Sequence, residues 1–282
     1  MNGIVRHLLG RRGTALICCA FGVAGMICFL FPVYWMFISG LKTSAEIFAS
    51  PPSFVPEHPT LAAYRIVFES ENVARYMRNS LTIAIPVTVV TLVLGSSGAY
   101  ALSRLRSRLI DLALVVILVL QVFPDVLLAT PMFVIFRYLD LLNTFTSVIL
   151  ATSAKSVAFA LVILRPMYRQ VPMEIEEASR VDGCTPLQTF RRIVLPLMRV
   201  PLVVVGALTF VQAWGQFAYP LTLLSQQELQ PATVGIYGFI GGEFADWDRV
   251  MAFASVFAAP VLILFLVLQR KIVAGLTTGA LK

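Results

Sequence analysis

The sequence predicts an all-α, polytopic membrane protein with six transmembrane helices, and three observations support this fold class. Of the 282 residues, 58% are hydrophobic, 13% are charged and the mean hydropathy is +0.84, whereas about 45–50% of a soluble domain is apolar. Six stretches each supply the roughly 20 apolar residues that a helix needs to cross a bilayer. The Lys and Arg residues lie mainly between these stretches, which argues against the single solvated basic face of a nucleic-acid-binding protein.

The six predicted spans cover residues 14–39, 80–102, 109–136, 146–164, 200–224 and 250–273. The first is too long for the core of a signal peptide and no cleavage site of small residues follows it, so we expect it to remain as a membrane anchor. In the second span, the small residues 95–98 indicate a close helix contact. The third contains Pro124 and Pro131, which remove helical hydrogen bonds and should kink or interrupt it.

The distribution of basic residues predicts the orientation, because short cytoplasmic loops carry an excess of Lys and Arg. Fifteen of the 22 Lys and Arg residues fall in the N-terminal leader, in the loops after the second and fourth spans, and at the C-terminal end. Six fall on the opposite side, and Lys155 lies inside the fourth span. Both termini are therefore predicted to face the cytoplasm.

The chain is predicted to form one transmembrane domain over residues 1–282. Within it, a basic leader, the first span and an outer loop (1–78) precede a five-span core (79–282). The outer loop, residues 41–78, contains four prolines between aromatic residues. Because long loops without a purpose are uncommon, we favour an ordered cap on the membrane over a simple connector.

The inner segment between the fourth and fifth spans, residues 165–199, predicts two short helices joined by a tight turn. Pro172 suits the first turn of the first helix, and the glutamates that follow favour its positive end. Gly183 would end that helix. Thr185 and Gln188 form a capping-box pattern for the second helix, and Pro196 would mark its end. The second helix also carries an apolar face that we expect to fit a groove on a partner: Leu187, Phe190, Ile193 and Val194.

This segment resembles the EAA motif of ABC-importer permeases, whose family form is E-A-A, three residues, G, nine residues, I-x-L-P. Here the chain reads Glu177-Ala178-Ser179, three residues, Gly183, nine residues and then I-V-L-P. Only Ser179 departs, and it keeps a small side chain. In that family the loop, here residues 167–197, is the coupling helix that sits in a cleft of the cytoplasmic ATPase subunit. The resemblance implies the type I ABC-importer permease fold and assigns ATPase docking to Glu177, Ala178, Ser179, Asp182, Gly183, Ile193, Leu195 and Pro196.

The outer loop and the C-terminal residues 269–282 are similar to the carbohydrate-importer permeases for maltose, multiple sugars and glycerol phosphate, and the tail resembles the second of their two permeases. The resemblance implies a multi-pass subunit of a bacterial or archaeal cytoplasmic membrane. It would form the pathway for a sugar together with a second homologous permease, two cytoplasmic ATPases that hold ATP and Mg, and an extracytoplasmic solute-binding protein. By the same resemblance, Thr277, Gly279 and Lys282 reach the ATPase interface. A non-sugar solute such as glycerol phosphate, an amino acid or a peptide is the alternative.

Five residues are candidates for the translocation pathway. Lys155 lies too deep in the fourth span to reach the headgroups easily, so it is expected to line a polar pathway, to pair with an acid of the partner permease, or to form a structural ion pair with Asp125. Gln212, Trp214, Gln216 and Tyr219 of the fifth span offer hydrogen bonds and a ring to a sugar, although such groups also join helices to each other. Residues 214–217 of this span also resemble a W-N-x-F element of the family, with Gly215 in place of the asparagine.

Several activities find no support in the sequence. It contains no G-x-x-x-x-G-K-[ST] phosphate loop and no H-E-x-x-H motif, so neither ATP binding by this chain nor catalysis is expected. His7 and His58 are isolated, so no metal site is expected. A passive channel or secondary carrier would leave residues 174–196 without a purpose.

Overall fold

The computed structural model describes the backbone of residues 2–69, 72–240 and 246–280, and side chains within 15–69, 72–240 and 246–269. All regular elements in these ranges are helical, and short π and 3-10 turns cover Phe190–Val194 and Gln227–Leu229. The α-helices are α1 (Asn2–Ser39), α2 (Ser44–Ile47), α3 (Ala62–Glu69), α4 (Val73–Arg104), α5 (Arg108–Gln121), α6 (Asp125–Tyr138), α7 (Phe145–Arg169), α8 (Met173–Val181), α9 (Pro186–Thr189), α10 (Leu195–Leu197), α11 (Arg199–Trp214), α12 (Ala218–Leu223), α13 (Ala232–Ile240) and α14 (Trp247–Ala280).

Four of the described helices, α1, α4, α7 and α14, contain stretches long and apolar enough to cross a membrane. Two further candidates are bent pairs: α5 with α6 at 101°, and the run Pro186–Leu197 with α11 at 79°. Six spans result when each pair counts as one, so the all-α polytopic fold is confirmed. The third predicted span breaks before α6 at Pro124, as expected, whereas Pro131 lies within α6 without interrupting it.

The predicted fifth span over residues 200–224 is interrupted and not one continuous helix. Helix α11 ends at Trp214 and α12 begins at Ala218, with Gly215 between them as the C-cap of α11. The side chain of Gln216 explains the break, because its Oε1 accepts hydrogen bonds from the backbone N–H groups of Phe217 (2.9 Å) and Ala218 (3.1 Å). These donors therefore have a partner without a continuous helix.

The contacts divide the chain into two compact units, and the first combines residues 1–72 with 239–257. Its predicted outer loop is ordered around a buried lysine, Lys42, which donates to the carbonyl of Ser53 and lies 4.6 Å from the ring centre of Trp35. The backbone N–H of Glu57 and then the Ser53 hydroxyl lower the pKa of the Glu46 carboxyl. Polar contacts thus order this loop, while its role as a cap stays a prediction.

The second unit combines residues 73–238 with 258–282. Its centre is the packing of α4 against α7 and α11, where small residues allow close approach. A Cβ added at Gly95 would lie 2.6 Å from the Cβ of Ala160, so the predicted close contact of the second span is confirmed. The Ser96 hydroxyl and the Tyr168 hydroxyl join α4 to α7 at 2.6 Å. Both sites described below belong to this unit.

Candidate functional site

The EAA segment, residues 167–197, folds as the local signals predict at its turn. Helix α8 follows Pro172, which is its N-cap rather than part of its first turn. Gly183 has a φ of +82°, a conformation that suits glycine. Thr185 caps α9, and a complete capping box joins it to Gln188. Pro196 does not end the second helix, because α10 continues through it to Leu197.

The turn between α8 and α9 presents both charge and apolar surface. Glu177, Ala178, Asp182 and Gly183 are all exposed. Two bulky apolar side chains project beside them, Val181 at 88% exposure and Leu187 at 62%. The exposed apolar groups are what a docking surface needs, since they gain by leaving water. Of the remaining EAA residues, Ile193 and Leu195 are half-buried and Pro196 is exposed.

Ser179, the residue that departs from the family pattern, is buried inside the segment. Its Oγ lies 2.8 Å from the Glu176 carbonyl and 2.7 Å from the Thr189 hydroxyl, so it joins α8 to α9. An alanine could not make these hydrogen bonds. Serine in place of the family's alanine therefore ties α8 to α9 and adds nothing to the exposed surface.

The predicted partner-facing apolar side of the second helix is wrong for two of its four residues, Val194 and Phe190. Val194 is fully buried in this chain's own core, beside Leu164 and Tyr168. Phe190 stacks on Tyr100 with ring centres 4.8 Å apart. Helical spacing identified the apolar face, but α4 and α7 of the same chain cover it. Among the four predicted residues only Leu187 is exposed, and Ile193 is half-buried.

A buried ion pair fixes α8 to the end of α4. Glu176 is 1% exposed and accepts hydrogen bonds from the Tyr100 hydroxyl (2.8 Å) and from Nε of Arg104 (2.8 Å), and Nη2 of Arg104 contacts the same carboxylate. Nη2 also donates to the carbonyl of Val171 at 3.3 Å. Sequence reasoning missed this pair. The only signal was that α8 carries three glutamates in nine residues. The sequence pattern alone does not distinguish the buried Glu176 from the two exposed ones.

A second polar site is a cavity of about 440 Å³, which we call the polar cavity. Its lining is mostly polar side chains: Gln121, Asp125, Thr152, Lys155, Ser156, Phe159, Gln212, Gly215 and Gln216. Nζ of Lys155 lies 2.5 Å from Oδ1 of Asp125 and donates to the carbonyl of Phe123 at 3.2 Å. Nε2 of Gln216 donates to the other oxygen of Asp125 at 3.2 Å. The cavity thus combines a cation, an anion and amides that can exchange hydrogen bonds.

The structure brings three of the five predicted pathway residues together, since Lys155, Gln212 and Gln216 line the polar cavity. Trp214 and Tyr219 are buried and do not belong to its lining; Trp214 stacks on Phe210, and Tyr219 interacts with Asp125. The Asp125 ion pair, one of the alternatives for Lys155, is present. It does not exclude a pathway role, because both partners face the cavity.

The remaining predicted residues lie in the tail. Thr277 and Gly279 belong to the backbone of α14, and Lys282 lies outside the described residues. Their placement at an ATPase interface stays a prediction. Among the described residues, no group of His, Cys, Asp and Glu is arranged to hold a metal ion.

The fold, the EAA segment and the polar cavity together define a membrane-embedded subunit of a transporter. The chain belongs to the family of binding-protein-dependent transport system inner membrane components, whose model matches residues 91–277. Members of this family work with an ATPase and a solute-binding protein, and they are multi-pass proteins of the inner membrane.

Curated relatives cover nearly the whole chain. The chain is 35% identical over 254 residues to the sulfoquinovosyl glycerol transport system permease protein of Agrobacterium fabrum, covering 90% of this chain and 89% of the relative. It is 33% identical to the diacetylchitobiose uptake system permease protein of Streptomyces coelicolor, over 90% of this chain and 92% of that one. The trehalose transport system permease protein of Mycobacterium tuberculosis is also 33% identical, with the same two coverages.

The fold also matches a solved structure. A chain of a bacterial ABC transporter involved in the import of the acidic polysaccharide alginate superposes with a TM-score of 0.75. The match covers 92% of this chain and 96% of the other at 21% identity. At that identity the likeness concerns the fold, which is that of an ABC-importer permease.

Proposed function

We propose that this chain is the permease subunit of an ATP-driven importer for a sugar or sugar derivative. The single observation that carries the proposal is the α8–α9 turn, which exposes Glu177, Asp182 and Gly183 while Glu176 anchors its base to α4. When a bound partner moves, such a turn can transmit the movement to a membrane helix. The partners are a second homologous permease, two cytoplasmic ATPases and an extracytoplasmic solute-binding protein. Both termini face the cytoplasm.

The polar cavity supports a hydroxyl-rich solute. Its amides, hydroxyls and ion pair supply both donors and acceptors, which a sugar needs in place of water. The ring of Phe159 adds an apolar surface on which a sugar face can rest. The three relatives named above are each named for the transport of a solute that contains a sugar unit. Lys155, Gln212 and Gln216 would contact the solute. Trp214 and Tyr219 would pack behind the residues that line the cavity and keep them in place.

ATP and Mg bind to the ATPase subunits, and hydrolysis takes place there rather than in this chain. Closure of the two ATPases moves the α8–α9 turn. Because Glu176 is held by Arg104 and Tyr100, we expect α8 to carry the end of α4 with it. The tail residues Thr277, Gly279 and Lys282 would reach the same interface.

The docking role is tested at Gly183. We expect Gly183→Trp to leave assembly and membrane insertion intact but to reduce sugar uptake per ATP hydrolysed at least tenfold, measured on the complete complex in proteoliposomes. The new side chain would meet no atom of this chain, since nothing lies within 4 Å of a Cβ there, but the positive φ strains any residue that carries one. Gly183→Asn is the matched control, because asparagine tolerates the positive φ. Coupled uptake at the wild-type ratio in Gly183→Trp would refute docking at this turn.

The solute class is tested separately. A strain that lacks this chain should lose uptake of one radiolabelled sugar and regain it on complementation. Loss of uptake of glycerol phosphate, an amino acid or a peptide, with sugar uptake intact, would overturn the sugar assignment while leaving the docking result standing.

A further inference from the structure

A wide basic pocket, distinct from the polar cavity, lies where three membrane helices end. Its volume is about 800 Å³, and its lining includes Arg104, Arg106, Ser107, Arg108, Asp111 and Arg169. Helix α4 ends at Arg104, α5 begins at Arg108 and α7 ends at Arg169. Because helices that cross the bilayer end near its surface, the pocket lies at the level of the lipid headgroups.

The pocket has more positive than negative charge. Glu176 pairs with Arg104, and Oδ1 of Asp111 lies 2.7 Å from Nη2 of Arg165 and 3.7 Å from Nη2 of Arg169. Within the part of the chain whose side chains are described, neither Arg106 nor Arg108 has a carboxylate partner, and both are exposed. Two guanidinium groups at one pocket are thus available to an anion that comes from outside this chain.

The surface next to these arginines is apolar. Helix α5 begins in the pocket, with Ser107 as its N-cap, and its positive end adds to the attraction for an anion. Farther along α5, Leu109 (76%), Leu112 (60%) and Val116 (50%) are exposed at spacings of three and four residues, so they share one helix face. A basic pocket that continues into an exposed apolar stripe matches a molecule with an anionic head and an apolar tail.

We propose that this pocket binds the phosphate-bearing headgroup of an anionic phospholipid, with its acyl chains along α5. Bidentate guanidinium groups fit phosphate oxygens, and basic pockets between membrane helices on the cytoplasmic side hold such headgroups. Free phosphate would use the arginines but leave the apolar stripe of α5 uncovered. The proposal rests on the proposed orientation, with this end of α4 on the cytoplasmic side of a bilayer, and does not depend on which solute the chain carries.

The test uses the complete transporter complex in nanodiscs made of phosphatidylcholine with phosphatidylglycerol, followed by native mass spectrometry of the lipids that stay bound. We expect wild type to retain phosphatidylglycerol and Arg106→Gln/Arg108→Gln to retain about twenty-five-fold less, since each arginine contributes about a fivefold affinity. The matched control is Arg137→Gln/Arg199→Gln, which removes the same charge at exposed positions outside the pocket. Arg106→Lys/Arg108→Lys should retain an intermediate amount, because lysine keeps the charge without the bidentate geometry.

Three results would overturn the proposal. The first is equal retention of phosphatidylglycerol by Arg106→Gln/Arg108→Gln and the control. The second is displacement of the lipid from wild type by inorganic phosphate in the buffer, which would identify a site for free phosphate. The third is no retained anionic lipid in wild type, which would mean that a partner subunit covers the pocket in the complex.

Discussion

Two of the ion pairs that join helices in the unit of residues 73–238 and 258–282, Arg104–Glu176 and Lys155–Asp125, differ in how far water reaches them. The side chain of Glu176 is only 2% exposed, and Arg104 and Tyr100 both donate to its carboxylate. The side chains of Lys155 and Asp125 are 29% and 31% exposed and face the polar cavity. The first pair fixes the EAA segment to α4. The second lies on the predicted path of a solute.

The difference in burial decides what each pair can do. A buried charge that loses its partner is left without water, so the Arg104–Glu176 pair should stay closed while the helices that it joins move together. A partly exposed pair is weakened by water and can exchange its hydrogen bonds at little cost. If the cavity carries the solute as proposed, we therefore expect Lys155 and Asp125 to release each other and to bind hydroxyl groups of the solute. The same chemistry is thus expected to give a rigid link in one place and an exchangeable contact in the other.

The largest effect is expected from Arg104→Met, which leaves Glu176 buried without its cation. Removal of one partner from a buried pair costs about 3–5 kcal/mol. We expect a large fall in the thermal midpoint of the detergent-solubilised complex and a loss of coupled uptake. The midpoint is measured on the purified complex and uptake on proteoliposomes.

The double variant Arg104→Met/Glu176→Leu is the control, because replacing both partners with apolar groups is often neutral. It should recover most of the lost thermal midpoint. If Arg104→Met instead matched wild type in both measurements, the pair would not be a rigid link. A double variant no more stable than Arg104→Met would attribute the loss to the shape of the site rather than to the unpaired charge.

A smaller loss of stability, with a separate effect on transport, is expected from Lys155→Met. Water and Gln216 remain available to Asp125, so the free energy of unfolding should change by about 1 kcal/mol or less. A hydrogen bond from the ammonium to a solute is worth about 1.5–3 kcal/mol, so uptake should fall at least about tenfold. Uptake and solute-stimulated ATP hydrolysis are compared with those of Lys155→Arg, which keeps the charge.

Unchanged uptake and ATP hydrolysis in Lys155→Met would eliminate the pathway role. A loss of stability as large as that of Arg104→Met would show that the Lys155–Asp125 pair is structural. The proposed difference between a rigid and an exchangeable ion pair would then be wrong. Asp125→Asn provides the other half of the test, because it removes the anion and keeps the size of the side chain.

The sequence predicted the parts of this molecule that depend on local chemistry. Gly183 ends α8 because a positive φ suits glycine, and Thr185 and Gln188 cap α9 within four residues of each other. The break at Pro124 likewise follows from the missing N–H of proline. Membrane spans were predictable because lipid demands a long apolar run whatever the partners of the helix are.

Contacts between distant residues could not be predicted in this way. Arg104 and Glu176 are 72 positions apart, and nothing in their neighbourhoods indicates that they meet. The break after Trp214 depends on one side chain, Gln216, turning back to accept two backbone N–H groups. Helical spacing likewise identified the apolar face of the second EAA helix without revealing that its own chain covers Val194.

The smallest effect is expected at Arg65–Glu69, the most exposed ion pair among the described side chains. These two residues lie one turn apart on α3, with 3.0 Å between Nε and Oε1. Its side chains are 76% and 63% exposed, so water and salt screen the attraction. We expect Arg65→Gln to change the free energy of unfolding by less than about 0.5 kcal/mol and to leave coupled uptake unchanged. The thermal midpoint is measured at low and at high salt, and the small difference from wild type should vanish at high salt. A loss comparable to that of Lys155→Met, or one that persists at high salt, would show that burial does not rank the ion pairs of this protein.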